Sequence, residues 1–181
     1  MALPYFDAPS VFTSAECDAI VTLGARGPLE PATVWNGVEN HVDTRTRHAE
    51  RCYWPRAAET AWIHDRLDAL FAEAAARFET EVDPVFEDIQ LIRYGVGAHF
   101  QTWHSDAGTD RYDARRISAS IELSEASDYE GGVLEIAPAL GLARTLPRGG
   151  ARLFASRMIH RVTPVTRGVR YALVAWTGKS G

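Results

Sequence analysis

The chain has 181 residues, 46% of them hydrophobic and 24% charged, a balance that suits one soluble domain built around a single sizeable core. Its net charge is −5 and its pI about 5.7, and lysine occurs only at Lys179, so no basic run points to nucleic acid. No stretch reaches the roughly 18 consecutive apolar residues of a membrane span. MALPYFDAPSVF also lacks the basic start and long apolar run of a secretory leader.

Thr13-Ser14-Ala15-Glu16 reads as a capping box opening a helix that runs through CDAIVTLGA and stops near Gly24 or Gly27. The two cysteines, Cys17 and Cys52, make no disulfide framework and are read as free thiols of a reducing, cytoplasmic setting. Residues 31–54 alternate loosely, so TVWNG and RTRHAERCYW suggest two strands or extended loops. HVDTRTRHAERCYW is also a candidate substrate lid. From Ala57 to Phe78, Ile63, Leu67, Leu70, Phe71, Ala74 and Phe78 recur at helical spacing and predict a second helix with one apolar stripe.

After Asp83-Pro84 the texture changes. FEDIQLIRY, RRISASIEL, GGVLEI, ARLFAS, IHRVTPV and VRYALVAW are short runs rich in β-branched and aromatic residues. Turn-formers such as Gly131-Gly132 and Gly149-Gly150 separate them. Successive strands without intervening helices predict an antiparallel barrel or two-sheet sandwich. The expected organisation is a single domain over 1–181, with 1–84 as a helical and extended support and 85–181 as the β-core.

One stretch of that core, WHSDAG, carries chemistry. His104 and Asp106 lie two apart, and residues i and i+2 of an extended segment point to one side. His160 opens a later strand and supplies a third ligand of suitable type. Two imidazoles and one carboxylate on one face leave positions open, as in non-heme Fe(II) oxygenases, although the same donors also suit zinc. Arg170 then weighs toward iron. A guanidinium inside the apolar strand VRYALVAW is costly to bury unless an anion meets it, and the distal carboxylate of 2-oxoglutarate fits. Tyr94, at the end of an earlier strand, offers a hydroxyl to the same acid.

RYGVGAHFQTWHSD, EGGVLEI and PRGGARLFASRMIHRVTPVTRGVRYALVAW together resemble the prolyl-4-hydroxylase-like branch of Fe(II)/2-oxoglutarate dioxygenases. The similarity is greatest to the PKHD-type hydroxylases, and it covers about residues 88–178. The resemblance implies a double-stranded β-helix, or jelly roll, mainly β with flanking α-helices. It further implies Fe(II) held by His104, Asp106 and His160, with 2-oxoglutarate held by Arg170 and Tyr94. O2 would be the second co-substrate and ascorbate an optional reductant. Trp176 falls on a tryptophan that lines the metal pocket in some relatives. Because the carboxylate ligand is present, hydroxylation is favoured over halogenation.

Glu122 departs from that pattern, standing where relatives carry an aromatic residue. Alternation places Ser118, Ser120 and Glu122 on one face of their strand and Ile117, Ala119, Ile121 and Leu123 on the other. If the polar face lines the barrel, Ser118 and Ser120 replace a tyrosine as co-substrate ligands, and Glu122 pairs with an arginine or with a cationic substrate. Trp103 and Glu122 join Trp176 as substrate-pocket candidates. His41, His48, His64 and His99 are read as surface or structural. Asp110, Arg111, Arg115 and Arg116 are read as solvated charges. No side-chain catalyst beyond the metal ligands is required. The expected substrate is a peptidyl side chain, with a free amino acid or small metabolite as the alternative and a non-catalytic metal-binding sensor as a further one. The oligomeric state is left open.

Overall fold

A computed structural model describes residues 4–108, 112–137, 141 and 144–179. In chain order the elements are β1 (Tyr5–Ala8), α1 (Ser14–Gly24), β2 (Glu30–Pro31), β3 (Val34–Trp35), β4 (Asn40–His41), β5 (Glu50–Trp54), α2 (Ala61–Arg77) and β6 (Ile89–Tyr94). There follow β7 (Phe100–His104), β8 (Arg115–Glu122), β9 (Tyr129–Gly131), β10 (Leu134–Ile136), β11 (Ala151–Ala155), β12 (His160–Val162), β13 (Val165–Gly168) and β14 (Arg170–Gly178). No helix among the described residues is long and apolar enough to cross a membrane.

Both predicted helices are present. Thr13 caps α1 reciprocally: its hydroxyl accepts from the Glu16 amide at 3.2 Å, and the Glu16 carboxylate accepts from the Thr13 amide at 2.8 Å. The second helix starts later than its apolar pattern suggested. Thr60 turns its hydroxyl onto the Pro55 carbonyl at 2.6 Å, and the preceding residues form a turn instead of a first helical coil.

A seven-stranded sheet in the order β1-β11-β8-β14-β6-β5-β2 forms one wall of the jelly roll, and β10-β12-β7 forms a smaller opposing sheet. The expected boundary at residue 84 does not divide the sheet, because β1, β5 and β2 come from before it and extend both edges. The seven-stranded sheet has two chemically different faces. Ile89, Leu91, Ile117, Ile121, Leu153 and Leu173 point outward and pack on Phe12, Ile20, Ile63, Leu67 and Phe71 of the helical layer. Fully burying one such Leu, Ile or Phe contributes roughly 1.5–3 kcal/mol. The opposite face carries Ser118, Ser120, Ile92, Tyr94 and Arg170, and it meets Leu134, Ile136 and Val162 from the smaller sheet. A cavity of about 730 Å³ opens between the two walls.

Candidate metal centre and co-substrate cavity

Strands β7 and β12 pair antiparallel with His160 directly opposite His104, so two imidazoles distant in sequence become cross-strand neighbours. Each ring is fixed the same way. His104 Nδ1 lies 2.8 Å from the Thr102 carbonyl and His160 Nδ1 lies 3.0 Å from the Met158 carbonyl. A carbonyl only accepts, so each Nδ1 carries the proton and each Nε2 presents a lone pair. Phe100 stacks on His104 at 3.6 Å between ring centroids, and Phe154 meets His160 edge-on at 4.8 Å.

Asp106 reaches the same point from the turn after β7, not from the strand itself. Its amide and that of Ala107 donate to the Ser156 carbonyl at 3.0 and 2.9 Å, tying the turn to the end of β11. Asp106 Oδ2 accepts from Ser118 Oγ at 2.7 Å and from Trp176 Nε1 at 2.9 Å. Oδ1 is left to face the imidazoles, 4.0 Å from His104 Nε2 and 3.5 Å from His160 Nε2. All three candidate ligand atoms lie within 4.8 Å of one another.

The electrostatics match the geometry. Burial, reinforced by His160 alongside, pushes the His104 pKa down to about 4. Burial opposes the charge on Asp106 as well, but the His160 imidazole beside it prevails and holds the carboxyl well below its usual range. Burial would lower His160, yet the Asp106 carboxylate raises it. Two aligned lone pairs and one unencumbered carboxylate oxygen fit a divalent ion on one face, with the other face turned to the cavity. Each Nδ1 bond and both bonds to Oδ2 are the outer contacts that keep such ligands oriented.

Arg170 lines the same cavity and is 4% exposed. It stands opposite Tyr94 in register, its guanidinium 5.5 Å from the Tyr94 ring centroid. Its Nε donates to Glu122 Oε2 at 2.9 Å, and Tyr129 donates to the same oxygen at 3.1 Å. Glu122 Oε1 accepts the Ser124 amide at 3.2 Å. Glu122 therefore faces a small side cavity beyond Ser120, not the main chamber, and protein donors occupy both of its oxygens. Of the two roles expected for Glu122, the structure provides the arginine pair. That pair engages Nε and leaves the other guanidinium nitrogens outside it. Burial and the Glu122 charge beside it push the Tyr129 phenol up to about 12, against the Arg170 charge, which pulls it down.

Gly131 and Gly132 explain the double-glycine motif. Both have φ in the left-handed region, +74° and +59°, and a Cβ on Gly132 would stand 3.2 Å from Arg170 Cδ. The Arg170 side chain passes over a position where only glycine leaves room.

Other expected residues divide. Ser118, Ser120 and Trp176 line the cavity, and Ser118 directs its hydroxyl at Asp106, not toward the space where an acid would lie. Trp103 points away: alternation along β7 turns Phe100 and His104 inward and Trp103 outward, under Arg161 at 4.6 Å. Arg115 is buried, contrary to the expectation of a solvated charge. It holds Glu87 with Nε and Nη2, donates to the Asp106 carbonyl at 3.3 Å, and lies 4.0 Å over the Trp176 ring. Asp110 and Arg111 fall outside the described residues. His99 pairs with His48 through a backbone bridge and takes no part in the centre. Within the predicted lid, Thr46, Arg47, Arg51 and Tyr53 line the chamber, joined by Trp35, whose ring meets Tyr112 edge-on at 6.2 Å. Arg47, Arg51, Arg115 and Ser156 gave no signal in sequence beyond residue type.

Comparison with known proteins agrees with this geometry. The model of the "2OG-Fe(II) oxygenase superfamily" matches residues 89–178, which contain every candidate ligand and Arg170. A PKHD-type hydroxylase of Synechococcus sp. is 42% identical over 96 residues, covering 51% of this chain and 43% of that protein. The chain thus spans under half the length of that relative. A prolyl-4-hydroxylase of Pseudomonas putida superimposes with a TM-score of 0.79 at 19% identity over 99% of this chain and 95% of that one. A prolyl hydroxylase from Trichoplax adhaerens, solved with a peptide fragment of hypoxia inducible factor, gives 0.77 at 17% identity over 97% and 83% of the two chains. Motif order, jelly-roll walls and family match coincide, and the chain belongs to the 2OG-Fe(II) oxygenase superfamily.

Proposed function

We propose that the protein is an Fe(II)- and 2-oxoglutarate-dependent dioxygenase that hydroxylates a peptidyl side chain, as prolyl hydroxylases do. The observation that carries this reading is the convergence of His104 Nε2, His160 Nε2 and Asp106 Oδ1 at the wall of a chamber that also holds Arg170. Fe(II) bound there would supply the oxidative chemistry, coupling 2-oxoglutarate decarboxylation to substrate oxidation. The chain's own groups bind and orient. The Nδ1 bonds turn each imidazole so that Nε2 faces the centre, Ser118 and Trp176 turn Asp106 so that Oδ1 faces inward, and Arg170 offers a fork for the distal carboxylate. Tyr94 and Ser120 stand along the same wall as further contacts for the acid.

The volume of about 730 Å³ falls within the ~300–1,000 Å³ range of small-molecule sites, enough for a co-substrate and one side chain or small metabolite. The Trichoplax neighbour, solved with a peptide, supports the peptidyl reading. Trp35 and Tyr112, which line the chamber and meet edge-on at 6.2 Å, favour a free amino acid or small metabolite as the second reading. Free Cys17 and Cys52 suit a reducing cytoplasm, and ascorbate would serve as a reductant during uncoupled cycles.

The test follows succinate after addition of Fe(II), 2-oxoglutarate and air, with proline-containing peptides compared against free amino acids. Peptide-stimulated succinate supports the first reading and stimulation by free amino acids alone supports the second. No succinate from iron-loaded protein, with or without substrate, would mean a metal-binding sensor in place of an enzyme.

A further inference from the structure

The proposed reaction leaves two buried cations of the chamber without a task. Arg47 and Arg51 are 9% and 8% exposed. Arg47 precedes β5 and Arg51 lies within it, and both guanidiniums converge on Thr33. Arg47 Nη1 donates to the Thr33 carbonyl at 3.1 Å, and Arg51 Nη2 donates to its hydroxyl at 2.6 Å. Both Nε atoms are buried without a hydrogen-bond partner, as is Oε1 of Gln90 on the same wall. Among the described residues neither guanidinium has a carboxylate partner. Burial, with Arg47 nearby, disfavours the charge on Arg51 and outweighs Tyr53, Tyr112 and Glu30, which favour it.

Burying two neighbouring cations costs free energy unless an anion meets them. The acidic groups around the chamber are already committed or distant. Glu87 holds Arg115, Glu122 holds Arg170 and Asp106 faces the imidazoles, while Asp88 and Glu30, the residue opposite Arg51 on the next strand, are exposed, and Glu30 acts on Arg51 only from beyond ion-pair distance. The position also separates this pair from the co-substrate anchor. Arg170 is on β14 and Arg51 on β5, with β6 between them, so two strand spacings of roughly 4.8 Å each intervene. On its other side the pair approaches the metal centre: the Arg47 guanidinium lies 4.9 Å over the Phe100 ring, and that ring stacks on His104.

We infer that Arg47 and Arg51 form a second anion subsite, distinct from Arg170, that receives a carboxylate of the substrate. The inference rests on the oxygenase reading and narrows its substrate to an acidic one, whether an Asp- or Glu-bearing peptide or a free carboxylic acid. The planar forks suit a carboxylate held by paired N–H groups. A lysine-bearing substrate would be repelled.

A binding test needs no turnover. Protein saturated with Mn(II) and 2-oxoglutarate is titrated calorimetrically with N-acetylglutamate α-amide and with its neutral partner, N-acetylglutamine α-amide. A second pair, acetylated Ala-Pro-Glu-Ala amide and its Gln counterpart, separates peptide from free-acid recognition. The carboxylate of at least one pair should bind about tenfold tighter than its carboxamide, as expected for a charge-assisted hydrogen bond. In Arg47→Gln and Arg51→Gln that preference should fall to about threefold or less, and Arg51→Lys should keep part of it. Circular dichroism establishes that each variant is folded, and Arg51→Lys serves if the Gln variant is not. Failure of both acids to bind, equal binding within both pairs, or a preference that survives both Gln variants overturns the inference. So does a loss of 2-oxoglutarate affinity in these variants as large as the loss for the acid, because the pair would then serve the co-substrate. Loss of the oxygenase reading would register separately, as absent Fe(II)-dependent succinate.

Discussion

Glu122→Gln tests how the chamber manages its central cation. In the wild type three donors converge on the two Glu122 oxygens: Arg170 Nε at 2.9 Å, Tyr129 Oη at 3.1 Å and the Ser124 amide at 3.2 Å. A carboxamide presents only one oxygen. If it keeps Arg170 and Tyr129, its NH2 group opposes the Ser124 N–H, and that bond is lost. Breaking a buried ion pair outright costs about 3–5 kcal/mol, because the remaining charge is stranded. Retaining two of the three hydrogen bonds reduces the expected loss to about 2–3 kcal/mol. For a chain of this size that lowers Tm by about 4–12 °C. The same change leaves Arg170 without its internal counter-ion, so an external carboxylate has more to gain there. Differential scanning calorimetry of Mn(II)-loaded protein, with and without 2-oxoglutarate, measures both effects. The variant should melt lower alone, gain more from 2-oxoglutarate than the wild type does, and bind it about tenfold more tightly. A Tm loss under about 2 °C would show that the pair contributes little. Unchanged or weaker 2-oxoglutarate binding would refute the idea that Glu122 and the co-substrate compete for one guanidinium.

Further outcomes follow from the same contacts. Ser118→Ala and Trp176→Phe each remove one hydrogen bond from Asp106 Oδ2, and each should weaken metal binding about 10–100-fold in a competition titration with a fluorescent chelator. Gly132→Ala forces a Cβ into a left-handed position 2.9 Å from Val165 Cγ2 and 3.2 Å from Arg170 Cδ. It should cost about 1–3 kcal/mol in denaturant unfolding and also weaken 2-oxoglutarate. Metal saturation should raise Tm, by the equivalent of about 2.7 kcal/mol at a hundredfold excess over Kd, with EDTA reversing the gain. An unchanged melting curve would mean that the three ligands do not hold an ion.

The parts of this molecule legible in sequence were those with a period or a fixed local chemistry. The apolar stripe from Ile63 to Ala74 and the Thr13–Glu16 capping box became α2 and α1, because spacing alone decides which face is buried. Alternation along β8 placed Ser118 and Ser120 on the chamber side and Ile117 and Ile121 on the helix side. The same rule along β7 turns Trp103 outward once His104 faces inward. Glu122 was harder. Its face was readable, but the converging donors come from Tyr129, Ser124 and Arg170, and that convergence depends on the tertiary turn at Gly131-Gly132. Arg115, Arg47 and Arg51 were illegible for a related reason. An arginine in a loop or near a strand end looks like a surface charge until strand pairing draws it over a cavity, β5 with β6 for Arg51 and β8 with β14 for Arg115.

The two walls divide the work in a way that bears on how such a chamber changes its substrate. The smaller sheet and the turn after β7 hold the proposed metal ligands, with each ring oriented by the backbone carbonyl two residues before it. The centre of the larger sheet holds Arg170, while Arg51 lies on β5, next to the short edge strand β2, and Arg47 lies in the segment leading into β5. β5 packs on the helical layer through Cys52 and Trp54 alone, both only partly buried, so side chains on its chamber face can change at little cost to the core. The metal centre and Arg170 have no such freedom, since each is fixed by several partners at once. Variation among related chains at positions equivalent to Arg47 and Arg51 should therefore track substrate charge, while the ligands behind them stay constant.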